Sequence, residues 1–182
     1  MTTQPIDFTE KMLSTTRIHE GRVVNVRCDE VELINGNKGF REVVEHPGGV
    51  VVLPVLPDGR IVFVEQYRYA LGHHLLELPA GKLEPGEDPA VAIARELTEE
   101  TGYAADTWEE LSCIYTAPGF CDEKLWLYKA SGLKEVNTHQ PDDDELLAVR
   151  VLTPDEVKDR IKRREIVDAK TICLVQLALN SD

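Results

Sequence analysis

A chain of 182 residues, 42% hydrophobic and 29% charged, can build one packed domain with a small accessory layer and is unlike a disordered or fibrous protein. Its formal charge of −13 argues against a nucleic-acid partner, which would need clustered Lys and Arg, yet permits a phosphorylated small molecule held through cations. No stretch approaches the roughly 20 apolar residues needed to cross a bilayer. Residues 1–16 carry acids and no continuous apolar core, so no secretory signal or membrane partner is expected, and the location is read as cytoplasmic.

Residues 17–46 read as β-rich. Three short strands, 23–26, 30–34 and 40–45, are separated by Cys28-Asp29 and by Asn35-Gly36-Asn37-Lys38-Gly39, where Asn and Gly tolerate positive φ. They predict a small N-terminal antiparallel sheet. Residues 49–56 form an almost continuous apolar run, as expected of a strand covered on both faces. Pro57-Asp58-Gly59 turns the chain toward 61–64, which predicts a hairpin, and 75–78 is a further extended piece. A helix is expected over 88–101, with Asp88 as cap, Pro89 at its first position and Gly102 as a left-handed stop. Strands follow at 111–115, 124–130 and 147–152. Thr153-Pro154-Asp155-Glu156 is a capping box opening a helix to about residue 164, and a last helix covers 168–179. The pattern is α+β, divided into an N-terminal β-rich region, 1–46, and a main domain, 47–182. The four cysteines, Cys28, Cys113, Cys121 and Cys173, form no Cys-x-x-Cys pair and read as buried reduced thiols.

The informative stretch is GKLEPGEDPAVAIARELTEETGY, residues 81–103. Within its helix Glu96, Glu99 and Glu100 stand at i, i+3 and i+4, so their carboxylates share one face, while Ile93 and Leu97 form an apolar i, i+4 pair for packing. Arg95 and Glu99, also i, i+4, can orient one carboxylate. A solvated acidic face is the plain alternative, because like charges at this spacing cost only about 0.2–0.5 kcal/mol per pair on an exposed helix. The loop in front argues otherwise: Ala80-Gly81 follows a predicted strand, and Pro85-Gly86 forces a turn before the helix, a geometry that can swing backbone carbonyls toward the carboxylates. Carboxylates, a carbonyl and substrate phosphates suit the oxygen shell of magnesium.

This stretch resembles the Nudix box, G-x5-E-x7-R-E-U-x-E-E-x-G-U, where U is a bulky apolar residue. Gly81, Glu87, Arg95, Glu96, Leu97, Glu99, Glu100 and Gly102 all match, and Tyr103 at the last position departs mildly. Seven fixed residues at background frequency match by chance on the order of 10⁻⁸ per start position, which favours a real resemblance. The resemblance implies a Nudix α/β/α sandwich with a mixed sheet and hydrolysis of a nucleoside diphosphate linked to another group. It implies Glu96, Glu99, Glu100 and the carbonyl of Ala80 as ligands for magnesium, or alternatively manganese. Arg95 and Glu87 would brace the loop and helix, and Glu99 and Arg95 would belong to the catalytic group.

Three further stretches resemble the ADP-ribose pyrophosphatase branch of that family: residues 41–48, residues 65–68 with 76–81, and residues 117–123, which hold Pro118 and Gly119. They imply Arg41, Arg68, Glu77, Pro118 and Gly119 as substrate-binding residues. Arg68 is either a forked donor to a phosphate or ribose oxygen or a surface ion-pair residue, and Glu77 either accepts from a ribose hydroxyl or binds metal. His73 and His74 read as solvent-exposed. Trp108 and Trp126 read as packing residues, with stacking on adenine as the other possibility. From the acidic loop 140–145, Glu145 is the expected catalytic base. In the resembling branch the N-terminal region packs across a two-fold axis, so a homodimer is expected, with a nucleotide as the small-molecule partner. The alternatives are a Nudix hydrolase for another nucleoside diphosphate derivative, such as a nucleotide sugar or dinucleotide, and a nucleotide-sensing domain without catalysis.

Overall fold

In the computed structural model residues 7–136 and 146–179 are described, and they fall into two units: 7–47 with Ala117–Glu123, and Gly48–Thr116 with 124–136 and 146–179. The first unit is a three-stranded antiparallel sheet ordered β1-β2-β3, with β1 at Lys11–Glu20, β2 at Asn25–Glu32 and β3 at Lys38–Glu45. The turn between β2 and β3 forms where Asn and Gly predict it: Gly36 has φ +80°, and Leu33 accepts from the Gly36 N–H at 2.8 Å.

The membership of this sheet differs from the expectation. The stretches at 23–26 and 30–34 are largely one strand, and a full strand, β1, lies earlier, where none was expected. Cys28-Asp29 does not break β2, because the Asp29 carboxylate is paired with Arg27 and buried within the ladder, where its turn-forming preference is overridden. All ten residues of β1 are exposed, so the strand carries no alternation of buried and exposed positions that would mark it in the sequence. Residues 117–123 join this unit through β3: the Val44 N–H donates to the Phe120 carbonyl at 2.7 Å, and the Asp122 N–H donates back to Val44 at 3.1 Å.

Among its described residues the second unit holds two sheets. One is ordered β7-β4-β9-β8, with β4 at Gly49–Pro54, β7 at Ala80–Lys82, β8 at Tyr103–Tyr115 and β9 at Lys124–Glu135. The other is ordered β10-β5-β6, with β5 at Ile61–Arg68, β6 at His73–Glu77 and β10 at Leu147–Leu152. Among the described residues three helices complete it: α1 at Pro89–Thr101, α2 at Pro154–Lys162 and α3 at Ala169–Leu179. Every residue of β4 is buried, which explains its unbroken apolar run. Val51 and Leu53 enter a cluster with Leu127, Phe63, Val157 of α2 and Leu174 of α3. Val50 and Val52 enter a second cluster with Ile93 and Leu97 of α1. The strand thus feeds apolar side chains to helices on both sides, the arrangement of an α/β/α sandwich.

The turn after β4 forms, with the Leu56 N–H donating to Arg60 at 2.8 Å and Gly59 at φ +85°. The expected hairpin does not. Only the bridge Val55–Ile61 links the two arms, after which β4 and β5 enter different sheets. Residues Ile61–Val64 are themselves buried on both faces, so β5 takes β10 and β6 as neighbours and leaves β4 to β7 and β9. The cysteines also depart from expectation: Cys113 is exposed and the other three are only partly buried. Among the described residues no helix is long and apolar enough to cross a membrane.

Candidate active site

The first turn of α1 is fixed by Asp88, whose carboxylate accepts from the Ala90 N–H at 2.8 Å, and by Pro89 at the first position. Its end is fixed by Gly102, at φ +72°, whose N–H reaches the Thr98 carbonyl. Between these stops the apolar face packs Ala92, Ile93 and Leu97 into the core, and the acidic face turns toward β7. Glu96 and Glu100 are buried, 8% and 2% exposed, and Glu99 is half-buried. Buried carboxylates beside one another on a helix are costly without cations, so this face is built for a positive partner.

Arg95 supplies part of that charge. Its guanidinium donates to Glu87 at 3.2 and 3.1 Å, to Glu96 at 2.8 Å and to Glu99 at 3.0 Å. The hydrogen bond with Glu87 leads in raising the Arg95 pKa well above its ordinary value, and the same bond lowers that of Glu87. Glu87 also accepts from the Glu84 N–H at 3.0 Å, closing the loop that precedes the helix. One arginine therefore links the loop to two carboxylates of the acidic face.

Strand β7 lies against this face. Glu100 accepts from the Ala80 N–H at 3.0 Å, and a Cβ built on Gly81 would overlap the Glu96 carboxylate. Position 81 is glycine because the carboxylate needs that space, a requirement of close approach rather than of backbone angle. Among the described residues no three metal-ligating side chains converge on one point. Hard carboxylate oxygens around a cradle that a methyl group would fill nevertheless suit a divalent cation completed by backbone carbonyl, water or substrate oxygen.

A second charged cluster includes the expected Arg68 and Glu77. Arg68 donates to both oxygens of Glu77 at 2.7 Å, and Glu77, 1% exposed, also pairs with Lys170. Lys170 in turn lies 3.0 Å from Asp168. Burial pushes the Glu77 pKa up, but the hydrogen bond from Arg68 and the charge of Lys170 outweigh it and hold the group below its ordinary value. The hydrogen bond with Glu77 leads in raising Arg68. Asp168, Lys170 and Thr171 were not expected from sequence, where 168–179 reads simply as a closing helix. A readable sign was there, since Lys and Thr are out of place in the first turn of an otherwise apolar helix.

The remaining candidates belong to the other unit or lie outside the described residues. Arg41 belongs to the N-terminal unit and pairs with Glu10, its Nε 2.9 Å from the carboxylate. Pro118 and Gly119 occupy the turn in which Ala117 accepts from the Phe120 and Cys121 N–H groups, at 3.1 and 2.9 Å. Glu145 lies outside the described residues. His73 and His74 are exposed, as expected, and Trp108 and Trp126 pack against the α1 core cluster.

A family model, the NUDIX domain, matches residues 45–174. The chain belongs to the Nudix hydrolase family. A methanol dehydrogenase activator of Bacillus methanolicus is 48% identical to this Nudix hydrolase over 170 residues, spanning 93% of this chain and 92% of that protein. An ADP-ribose pyrophosphatase of Bacillus subtilis (strain 168) is 39% identical over 168 residues, spanning 92% and 91%. The crystal structure of an ADP compounds hydrolase superposes with a TM-score of 0.85 at 20% identity, covering 97% of this chain and 95% of that one. The fold is therefore the α+β Nudix fold implied by the box, with a separate N-terminal antiparallel sheet.

Proposed function

We propose that this Nudix hydrolase splits the diphosphate linkage of ADP-ribose into AMP and ribose 5-phosphate. The observation that carries the reading is the buried acidic face of α1, with Glu96 and Glu100 against the Ala80-Gly81 strand and Arg95 linking Glu96 to Glu99. Likeness to the ADP-ribose pyrophosphatase of Bacillus subtilis supports the choice of substrate. Bound magnesium, or manganese, would neutralise diphosphate oxygens and acidify the attacking water. Glu96, Glu99, Glu100 and the carbonyl of Ala80 are the residues that would hold it.

Arg95 orients Glu96 and Glu99, so its own role in catalysis is exerted through them. Arg68, whose Nε and Nη2 are engaged by Glu77, offers the hydrogens of Nη1 to a phosphate oxygen. Glu145 takes the proton from the water. Arg41, in an N-terminal region, 1–46, that also serves dimerisation, contributes to holding the substrate together with Pro118 and Gly119. The homodimer is supported by β1, an edge strand exposed at every residue, and the setting of this reading is cytoplasmic.

The test is a screen of nucleoside diphosphate derivatives with magnesium and with manganese, products resolved by chromatography. ADP-ribose should give the highest kcat/KM, and a chelator should abolish turnover. Faster turnover of a nucleotide sugar or a dinucleotide would refute the substrate and leave the family chemistry standing. A second reading, favoured by the 48% identity to the methanol dehydrogenase activator, is that the chain raises the activity of such a dehydrogenase. Adding the purified protein, native or Glu100→Gln, to a methanol dehydrogenase assay tests it. No stimulation by the native protein would exclude that reading.

A further inference from the structure

The chain passes from one sheet to the other between β6 and β7. Pairing with β5 ends at Glu77, and pairing with β4 begins at Ala80. Leu78 and Pro79 therefore lie outside both ladders, and Leu78 is completely buried, so its N–H must find a partner elsewhere or remain unsatisfied. The Leu78 N–H donates to the hydroxyl of Thr171 at 2.9 Å, a side chain that is itself completely buried. Pro79 has no N–H to satisfy, and its carbonyl accepts from Val52 at 3.0 Å. The next donor, the Ala80 N–H, goes to Glu100. One residue before the crossing, the Glu77 carboxylate is held by Lys170 as well as by Arg68.

The segment from Glu77 to Ala80 is thus gripped on one side by the first turn of α3, through Lys170 and Thr171, and on the other by the acidic face of α1. That turn is itself fixed, since Asp168 accepts from the Thr171 N–H at 3.0 Å. A helix 93 positions away in sequence holds the two residues, Glu77 and Leu78, that lead into Ala80.

We propose that Thr171 and Lys170 are positioning residues for the metal site, fixing the Ala80 segment against Glu100 so that carbonyl and carboxylate are presented together. The inference rests on the reading of Ala80 and Glu100 as metal ligands. Partners that orient ligands typically matter by about 10–100-fold in metal affinity when removed.

The test is Mn²⁺ binding to the full chain without substrate, followed by electron paramagnetic resonance, with the melting temperature and the magnesium dependence of kcat recorded alongside. Thr171→Val keeps the shape and deletes the acceptor, and Lys170→Met deletes the ammonium. Each should weaken Mn²⁺ binding by about tenfold or more and raise the magnesium needed for half-maximal rate, with kcat at saturating metal largely kept. Thr171→Ser and Lys170→Arg should restore binding. Unchanged Mn²⁺ affinity in Lys170→Met, or in a folded Thr171→Val, would overturn the proposal whatever happens to the melting temperature. Should Thr171→Val not fold, the comparison of Lys170→Met with Lys170→Arg decides alone. Glu100→Gln separates the two levels. If it binds Mn²⁺ as the native protein does, the ligand reading fails and this inference with it. If it loses binding while Thr171→Val and Lys170→Met keep theirs, only the positioning role fails.

Discussion

Gly81 is the smallest residue of the acidic site and among the least replaceable. Gly81→Ala places a methyl group where the Glu96 carboxylate lies. The carboxylate tip can swing aside, so the fold should survive with little change in melting temperature, whereas metal affinity should fall about 10–100-fold. Calorimetric titration with Mn²⁺ reads this directly, and full affinity in the variant would show that Glu96 need not occupy that space. Glu77 makes a different prediction. Its pKa lies below the ordinary carboxylate value in the folded protein, so its stabilisation is complete above the unfolded pKa and is lost as pH falls through the folded one. Glu77→Gln, which leaves Arg68 and Lys170 without their shared anion, should cost about 3 kcal/mol near neutrality, the low end for a buried pair because Arg68 reaches solvent. That gap should close as the pH is lowered, and urea unfolding across an acid series would reject the assignment if it widened. The acidic face could be read from sequence because i, i+3 and i+4 spacing maps local order directly onto geometry. Lys170 and Thr171 stand out only as polar residues opening an apolar helix, and nothing local names a partner so distant in the chain.

At the scale of elements, legibility followed the strength of local chemistry. Helix α1 was readable at both ends because Asp88, Pro89 and Gly102 each satisfy or excuse a terminal backbone group. Helix α2 was readable for the same reason, with Thr153 and Glu156 exchanging hydrogen bonds. Asp88→Ala should remove about 1 kcal/mol and lower the melting temperature by about 2–4 °C. Activity at saturating magnesium should hardly change, since the Asp88 carboxylate is engaged by the Ala90 N–H of its own helix. A loss of activity larger than the loss of stability would mean that the start of α1 has a function beyond capping. The β4–β5 turn shows where local reading ends. Pro57-Asp58-Gly59 reverses the chain, but which strand pairs with which is decided by burial on both faces, a tertiary matter. Strand β1 shows the converse: with no buried face it has no pattern, and only its pairing with β2 defines it.

For the whole molecule, the exposed edge is the feature that calls for explanation. Met12, Leu13 and Ile18 on β1 are 56%, 42% and 59% exposed, and an edge strand of ten residues is an open template for another chain. A second copy is the partner we expect. Light scattering at micromolar concentration should return twice the monomer mass, and Met12→Lys with Ile18→Lys should shift the population toward monomer. A fully active monomer in the native protein would remove dimerisation from the proposal.

The N-terminal unit is also discontinuous, and this affects when it can form. Its sheet is closed by residues 117–123, and the His46 N–H bonds to Asp122 across 76 positions. While the chain is being made, the first 47 residues must wait for the rest of their own unit. At about 5–20 residues per second that interval lasts about 4–15 s. The exposed apolar residues of the early strands are then present without their closing segment, which makes this interval the natural time for a chaperone, or a neighbouring nascent copy, to engage them. Ribosome-bound chains halted with residue 116 outside the exit tunnel should be cut readily within residues 11–45 by added protease. Chains halted beyond residue 123 should resist, and equal sensitivity in the two would show that the first three strands settle without their late partner.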